Sequence, residues 1–271
     1  MVFVIMFMPR AKIESAQHLA ELERQGALGL KRAVGVRATP WRPGTAVPRG
    51  AKVVHLIRHG QGFHGRLGDI YRDFGRPVDS TGADSLGSPS TRQLFDPPLT
   101  TTGRDQAKAL RPVTRALEGI DLVVVSPLQR AVQTAALGMP HLKQTVCWIA
   151  HEDCMETSGT SVCDKRRDSD EIGEDFPWLD LSLLTEPEDP LWTPDARETC
   201  RAVSDRTHSF ALWLRDRQES NIVVATHSAW LFTLLNTAVD CEPRELNQWF
   251  HTGELRSVVF EFVDKHHCET P

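Results

Sequence analysis

Three apolar runs in this 271-residue chain end in residues able to handle an anion. Val53, Val54, Leu56 and Ile57 lead into Arg58-His59, and Ile222, Val223 and Val224 lead into Thr226-His227. "DLVVVS" (121–126) leads into a helix with Arg130 in its first turn. A strand that ends in a plain turn is followed by Gly, Asn or Ser; a cation and an imidazole there put reactive groups where open α/β sheets keep their ligands. A planar guanidinium binds a phosphate or carboxylate bidentately. A neutral imidazole nitrogen is a competent nucleophile toward phosphorus, and a second imidazole can hydrogen-bond oxygens whose charge redistributes in the transition state. Two imidazoles and two guanidiniums therefore point to phosphoryl chemistry, which needs mainly positioning and charge compensation. An acid to protonate the departing oxygen is still required. A single histidine after a strand is commonly structural; three such sites on one sheet edge make coincidence a poor account.

The elements that must carry these residues follow from periodicity. Short β-branched runs at 53–57, 121–126, 145–150, 221–228 and 256–263 read as strands buried on both faces. Between them "LTTTGRDQAKALRPVTRAL" reads as a helix kinked at Pro112, and "SPLQRAVQTAALG" as a helix capped by Ser126 with Gly138 just past its end. A longer helix is expected after Thr193-Pro194, running through Leu214, and a short one in "AWLFTLLN". The alternation predicts an α/β three-layer sandwich around a mostly parallel central sheet. Residues 62–99, rich in Gly and Pro, read as a long irregular stretch, either a flap over the site or a disordered insertion. Residues 11–34 read as a helix and 37–50, with three prolines and two glycines, as a linker. Residues 1–50 are accordingly expected to be an appendage to a domain covering 51–271.

Composition narrows the partners. Lys+Arg 31 against Asp+Glu 36 gives a net charge of −5, which argues against nucleic acid or an anionic membrane as partner. The expected partner is a phosphorylated small molecule. Six cysteines without a C-x-x-C pair fit a reducing, cytoplasmic setting. The apolar run Val2–Met8 is far too short to span a bilayer, and reads as a strand, a tail or the remnant of a targeting segment. His151 and Glu152 beside Cys154 are possible metal ligands, but no further ligands occur at metal-like spacing, so no metal or other cofactor is expected.

"LIRHGQGFH", "LTTTGRDQA", "SPLQRAVQTA" and "VVATHS", in that order, resemble the successive motifs of the histidine phosphatase superfamily, the phosphoglycerate mutase-like fold, over residues 52–263. "CDKRR" (163–167), "LWTPDARET" and "LRSVV" are similar to a eukaryotic phosphoglycerate mutase-like subgroup with many phosphatase members. The resemblance implies that His59 accepts the phosphoryl group while Arg58, Arg130 and His227 clamp its oxygens. It also implies a carboxylic acid after the third strand: Glu156, three residues before Gly159, is favoured, with Glu152 and then Asp153 as rivals. The family's Asn is replaced here by Gly65, and His64 with the glycine amides, Gly60 among them, are candidates to hold phosphate in its stead; Ser228, after His227, joins them. Lys165 and Arg166 in "CDKRRD" form either a second anion pocket or a solvated charge run. The expected activity is metal-independent hydrolysis of phosphomonoesters through phosphohistidine. The alternatives are a phosphomutase and a catalytically weak phospho-ligand-binding protein of the same fold.

Overall fold

The computed structural model describes residues 8–30, 32–73 and 94–264. In chain order the main elements are α1 (Met8–Arg24), β1 (Val34–Pro40), β2 (Lys52–Arg58), α2 (Phe63–Asp73), α3 (Thr101–Ala109), α4 (Arg111–Arg115), β3 (Leu122–Val125), α5 (Gln129–Gly138) and β4 (Cys147–Ala150). They continue with α6 (Ser169–Asp175), α7 (Cys200–Asp216), β5 (Asn221–Thr226), α8 (Ser228–Thr233), β6 (Asp240–Cys241) and β7 (Leu255–Asp264). The strands form a single seven-stranded mixed sheet in the order β4-β3-β5-β2-β7-β1-β6. β4, β3, β5 and β2 run parallel, and β7 lies antiparallel between β2 and β1.

Helices cover both faces because the central strands are apolar on both. Ile222 and Val224 point into one core with Phe210 and Trp230, whereas Val223 and Ala225 point into the other with Val132 and Trp148. A period of two thus feeds two cores from one strand. One polar exception is His55, wholly buried in β2. Its Nδ1 lies 2.7 Å from Ser257 Oγ and its Nε2 2.8 Å from Asn221 Oδ1, so a neutral ring with the proton on Nε2 satisfies both partners.

Three sequence expectations are corrected by these elements. Residues 34–40 are not part of a detached appendage: β1 pairs with β7 along its whole length. The alternation of buried and exposed residues in Val36-Arg37-Ala38 lets β1 join the sheet ahead of the Pro-rich linker. Residues 63–73 are helical rather than irregular; the rest of the expected flap, 74–93, and the run Val2–Phe7 lie outside the described residues. The long helix begins at Cys200 rather than after Pro194, because Thr199 caps it by accepting from Ala202 N. Glu198 is meanwhile held outside the helix, where it pairs with Arg206 of the second turn at 2.7 Å.

His55 also gives the fold a pH dependence. Burial lowers its pKa from the ordinary 6.5 to about 4, outweighing the opposing effect of the Asn221 hydrogen bond. Burial likewise takes His151 down to about 4 and His64 to about 3. In the unfolded chain these rings take up protons near pH 6.5 while the folded ones stay neutral. The contribution of these rings to stability is therefore fully present above 6.5 and is lost as pH drops toward 4, about 3 kcal/mol of it from His55. The urea midpoint is expected to fall steadily from pH 7 to about 4.5, and less steeply in His55→Gln; a flat profile over that range contradicts the argument.

Candidate active site

Strand register brings the two histidines together. Arg58 in β2 is the ladder partner of Thr226 in β5, so the next residue of each strand, His59 and His227, emerges at the same sheet edge. His59 N donates to Thr226 O at 2.9 Å, which extends the ladder by one step. The imidazole centroids lie 5.0 Å apart at 60°. β3 borders β5 on its other side, and Ser126 N donates to Ala225 O at 2.9 Å. That brings Ser126 Oγ to 2.7 Å from His227 Nε2. Ser126 is thus a partner of the second imidazole. The helix that it was expected to cap starts at Gln129, and Gly138 is its last residue rather than the one after it.

The tautomer of His59 is set by its own loop. Its Nδ1 lies 2.6 Å from Gly60 O, an acceptor only, so Nδ1 carries the proton and Nε2 the lone pair. Arg130 Nε donates toward that lone pair at 3.4 Å. Burial, then the charges of Arg130 and Arg58, holds the His59 pKa well below 6.5; burial and Arg130 do the same to His227. Both rings are neutral at physiological pH. His227 Nδ1 is buried without a hydrogen-bond partner among the described residues.

Arg130 is itself buried and anchored by groups that sequence reasoning missed. Its Nη1 donates to Cys163 O at 2.6 Å, and its Nη2 to Asp164 Oδ1 at 2.9 Å. Asp164 also pairs with Arg197 at 2.9 Å. Asp96 is fully buried; it accepts from Gln129 N at 2.8 Å, fixing the start of α5, and from Arg167 Nε at 3.1 Å. Burial, the largest influence, raises its pKa to about 6. Asp164 sits in "CDKRR", a run the sequence marks out, but only its contact identifies it as a support of Arg130.

The two glutamates separate cleanly. Glu156 Oε1 accepts from Trp230 N at 3.1 Å and from Thr157 N at 3.0 Å, and Oε2 accepts from Ala229 N at 3.2 Å. Its carboxyl therefore sits over the N-terminus of α8, the helix that starts directly after His227. Glu152 instead takes two bonds from Arg166, at 3.0 and 2.7 Å, and one from Thr185 Oγ1 at 3.0 Å. Arg166 also donates to the carbonyls of Arg167, Glu186, Pro187 and Glu188, so its guanidinium is spent on structure. This corrects the placing of Glu152 and Arg166 in the site. Lys165 stacks over Trp192, with Nζ 4.8 Å from the ring centre. Near Glu152, the His151 ring is 4.6 Å from that of Trp213, and Cys154 Sγ donates to His151 O at 3.0 Å.

Arg58, His59 and His64 line a cavity of about 240 Å³ together with Gln61, Gly62 and Gly65. Arg58 Nη1 donates to Phe250 O at 2.6 Å, and its guanidinium lies 6.0 Å from the Trp249 ring centre. The Gly60 amide is not free for phosphate, because it donates to Thr134 Oγ1 at 3.0 Å. Glycine is needed there for another reason: a Cβ on Gly60 would come within 2.5 Å of Gly103 O, and one on Gly103 within 2.2 Å of Gln61 O. The RHG loop and α3 touch backbone to backbone. Gly103→Ala is expected to force the loop away and cost about 1–3 kcal/mol, read as a lower urea midpoint together with lower activity. An unchanged variant would show that the contact is not needed.

A mixed sheet with two imidazoles and two guanidiniums at one edge defines the class of protein. The model of the histidine phosphatase superfamily (branch 1) matches residues 54–267, and the chain belongs to that family. It is 31% identical to a phosphoglycerate mutase-like protein of Arabidopsis thaliana over 241 residues, covering 77% of this chain and 84% of the relative. A second relative from that plant, phosphoglycerate mutase-like protein 1, is 30% identical over 247 residues, covering 77% and 80%. Among solved structures, a phosphoglycerate mutase from Bacillus anthracis is similar at a TM-score of 0.49 and 13% identity, covering 79% of this chain and 92% of that one. Among the described residues no helix is long and apolar enough to cross a membrane.

Proposed function

We propose that this chain is a phosphatase that hydrolyses phosphomonoesters of small molecules in two steps through a phosphohistidine on His59. The observation that carries the reading is the neutral His59 ring, its proton held on Nδ1 by Gly60 O and its Nε2 lone pair turned toward Arg130, with its centroid 5.0 Å from that of a second neutral imidazole. His59 Nε2 attacks phosphorus in line as the ester P–O bond breaks, and the carboxylic acid of Glu156 gives its proton to the leaving oxygen. Arg58, Arg130 and His227 balance the charge on the transferring oxygens. Water then attacks phosphorus, the N–P bond breaks, and the Glu156 carboxylate takes the water proton. Neither step calls on a metal. A net charge of −5 supports a local rather than a global anion site.

The mutase-like relatives supply a second reading, in which the phosphoryl group returns to a bound hydroxyl instead of water. Turnover of p-nitrophenyl phosphate in EDTA, run beside phosphoglycerate interconversion, separates the two. Hydrolysis alone supports the phosphatase, interconversion alone the mutase, and silence in both leaves a phospho-ligand-binding protein. Brief incubation with 32P-labelled substrate and acid-free quenching is expected to leave alkali-stable, acid-labile label on the protein. Acid-stable phosphoserine would reject His59 as nucleophile. Because His59 stays neutral well below pH 6.5, the acid side of the kcat/KM profile is expected to fall below the ordinary histidine range.

A further inference from the structure

The arginine of "LRSVV" stands behind the phosphoryl site. In β7, Arg256 is the ladder partner of Leu56, two residues before Arg58. Its guanidinium gathers the backbone of the segment between β6 and β7. Nη1 donates to Leu246 O at 2.9 Å and to Gln248 O at 2.6 Å, and Nη2 donates to Trp249 O at 3.0 Å. Nε pairs with Glu254 Oε1 at 2.6 Å, and the central carbon lies 3.8 Å from the centre of the buried Phe250 ring. Three carbonyls, a carboxylate and a ring face thus meet one planar fork, which arginine can supply and lysine, with its single ammonium, cannot.

The next carbonyl along the chain holds Arg58. Phe250 O accepts from Arg58 Nη1 at 2.6 Å. The same segment returns to the strand end through Gly253 N, which donates to Arg58 O at 3.1 Å and to His59 O at 3.2 Å. α1 backs it as well: Ser15 Oγ accepts from Trp249 N at 3.3 Å, the His18 ring lies edge-on to Trp249, and Ala11 and Glu14 reach the wall of the cavity over His59. A hydrogen bond to a guanidinium sets its plane as well as its place. The direction of the Arg58 donors therefore depends on where Phe250 O is held.

We propose that Arg256 is a positioning residue of the phosphoryl site: by drawing together the carbonyls of Leu246, Gln248 and Trp249 it sets Phe250 O, and through that carbonyl the guanidinium of Arg58. The inference rests on the reading of Arg58 as a clamp on the transferring oxygens. Among the described residues Arg256 is not part of the cavity wall that Arg58 and His59 share, so it acts through Arg58 and not by touching phosphate.

The test is a double-mutant cycle on Arg58→Gln and Arg256→Gln. It is read by the dissociation constant of inorganic phosphate in calorimetry and by kcat/KM for p-nitrophenyl phosphate, each per folded molecule. Arg256→Gln is expected to weaken phosphate binding by about tenfold and to lower kcat/KM by about 10–10²-fold. In the Arg58→Gln background the same change is expected to cost less than about twofold, because the group it orients is gone. A residue that only supports the fold would cost the same in both backgrounds, and that result overturns the inference. Arg256→Lys keeps the positive charge but lacks the fork. It is expected to follow Arg256→Gln, and it runs the cycle in its stead if the Gln variant does not fold. Full phosphate affinity in Arg256→Lys would make charge rather than geometry responsible, and overturns the inference too. Phosphate binding indifferent to Arg58→Gln removes Arg58 from the clamp and the inference with it. Absence of p-nitrophenyl phosphate hydrolysis by the unaltered protein instead overturns the phosphatase reading, and the cycle is then decided by phosphate binding.

Discussion

His59→Ala is expected to reduce hydrolysis of p-nitrophenyl phosphate by at least about 10³-fold, because in the proposed mechanism it removes the atom that bonds to phosphorus. Of the neighbouring imidazoles, His227 holds Ser126 Oγ at 2.7 Å through Nε2. The variant also leaves Gly60 O without its imidazole donor and opens a small void. Its circular dichroism and urea midpoint must therefore be measured beside its rate. A folded variant that no longer accepts labelled phosphate supports the assignment. Activity within about tenfold of the unaltered enzyme would mean that another group attacks.

Glu156→Gln and Glu152→Gln are expected to fail in different ways, although the two residues lie four apart. Glu156→Gln keeps a polar group over the start of α8 but cannot give or take a proton. Alkyl phosphates should slow by about 10²–10³-fold. With p-nitrophenyl phosphate, whose leaving group needs no proton, the first step should survive and the second lag, so that phosphoenzyme accumulates as a burst. Glu152→Gln should instead cost stability, about 3–5 kcal/mol, by leaving the Arg166 guanidinium buried and uncompensated. Its rate per folded molecule should stay near that of the unaltered enzyme. If the two phenotypes are exchanged, Glu152 is the acid after all.

The strands that carry the site were legible because they are short and apolar on both faces, and such runs leave few alternatives. The start of α7 was less so: apolar spacing continues back to Ala196, and only the Thr199 cap and the Glu198–Arg206 pair decide where the helix begins. The segment 34–40 was masked by the prolines around it. A seven-residue strand with mixed polarity declares itself only when β7 is there to pair with it. Among charged groups, the residue types of "CDKRR" pointed to an anion site, but Arg166 faces inward to Glu152 and a ring of carbonyls. A run of like charges carries no information about which member is buried.

The sequence by itself determined the chemistry on offer at the sheet edge: an Arg-His pair and a second histidine at the ends of apolar strands, and an arginine in the helix that follows a third. Those features are local, set by residue type and by periods of two and 3.6. Only the tertiary structure decided which proton His59 carries, which of two glutamates reaches α8 and which is locked to Arg166, and that α1 closes the wall of the cavity. Each of these depends on a contact between residues far apart in the chain. Burial then fixes the outcome, because a charge or a hydrogen-bonding group removed from water must find its partner within the fold.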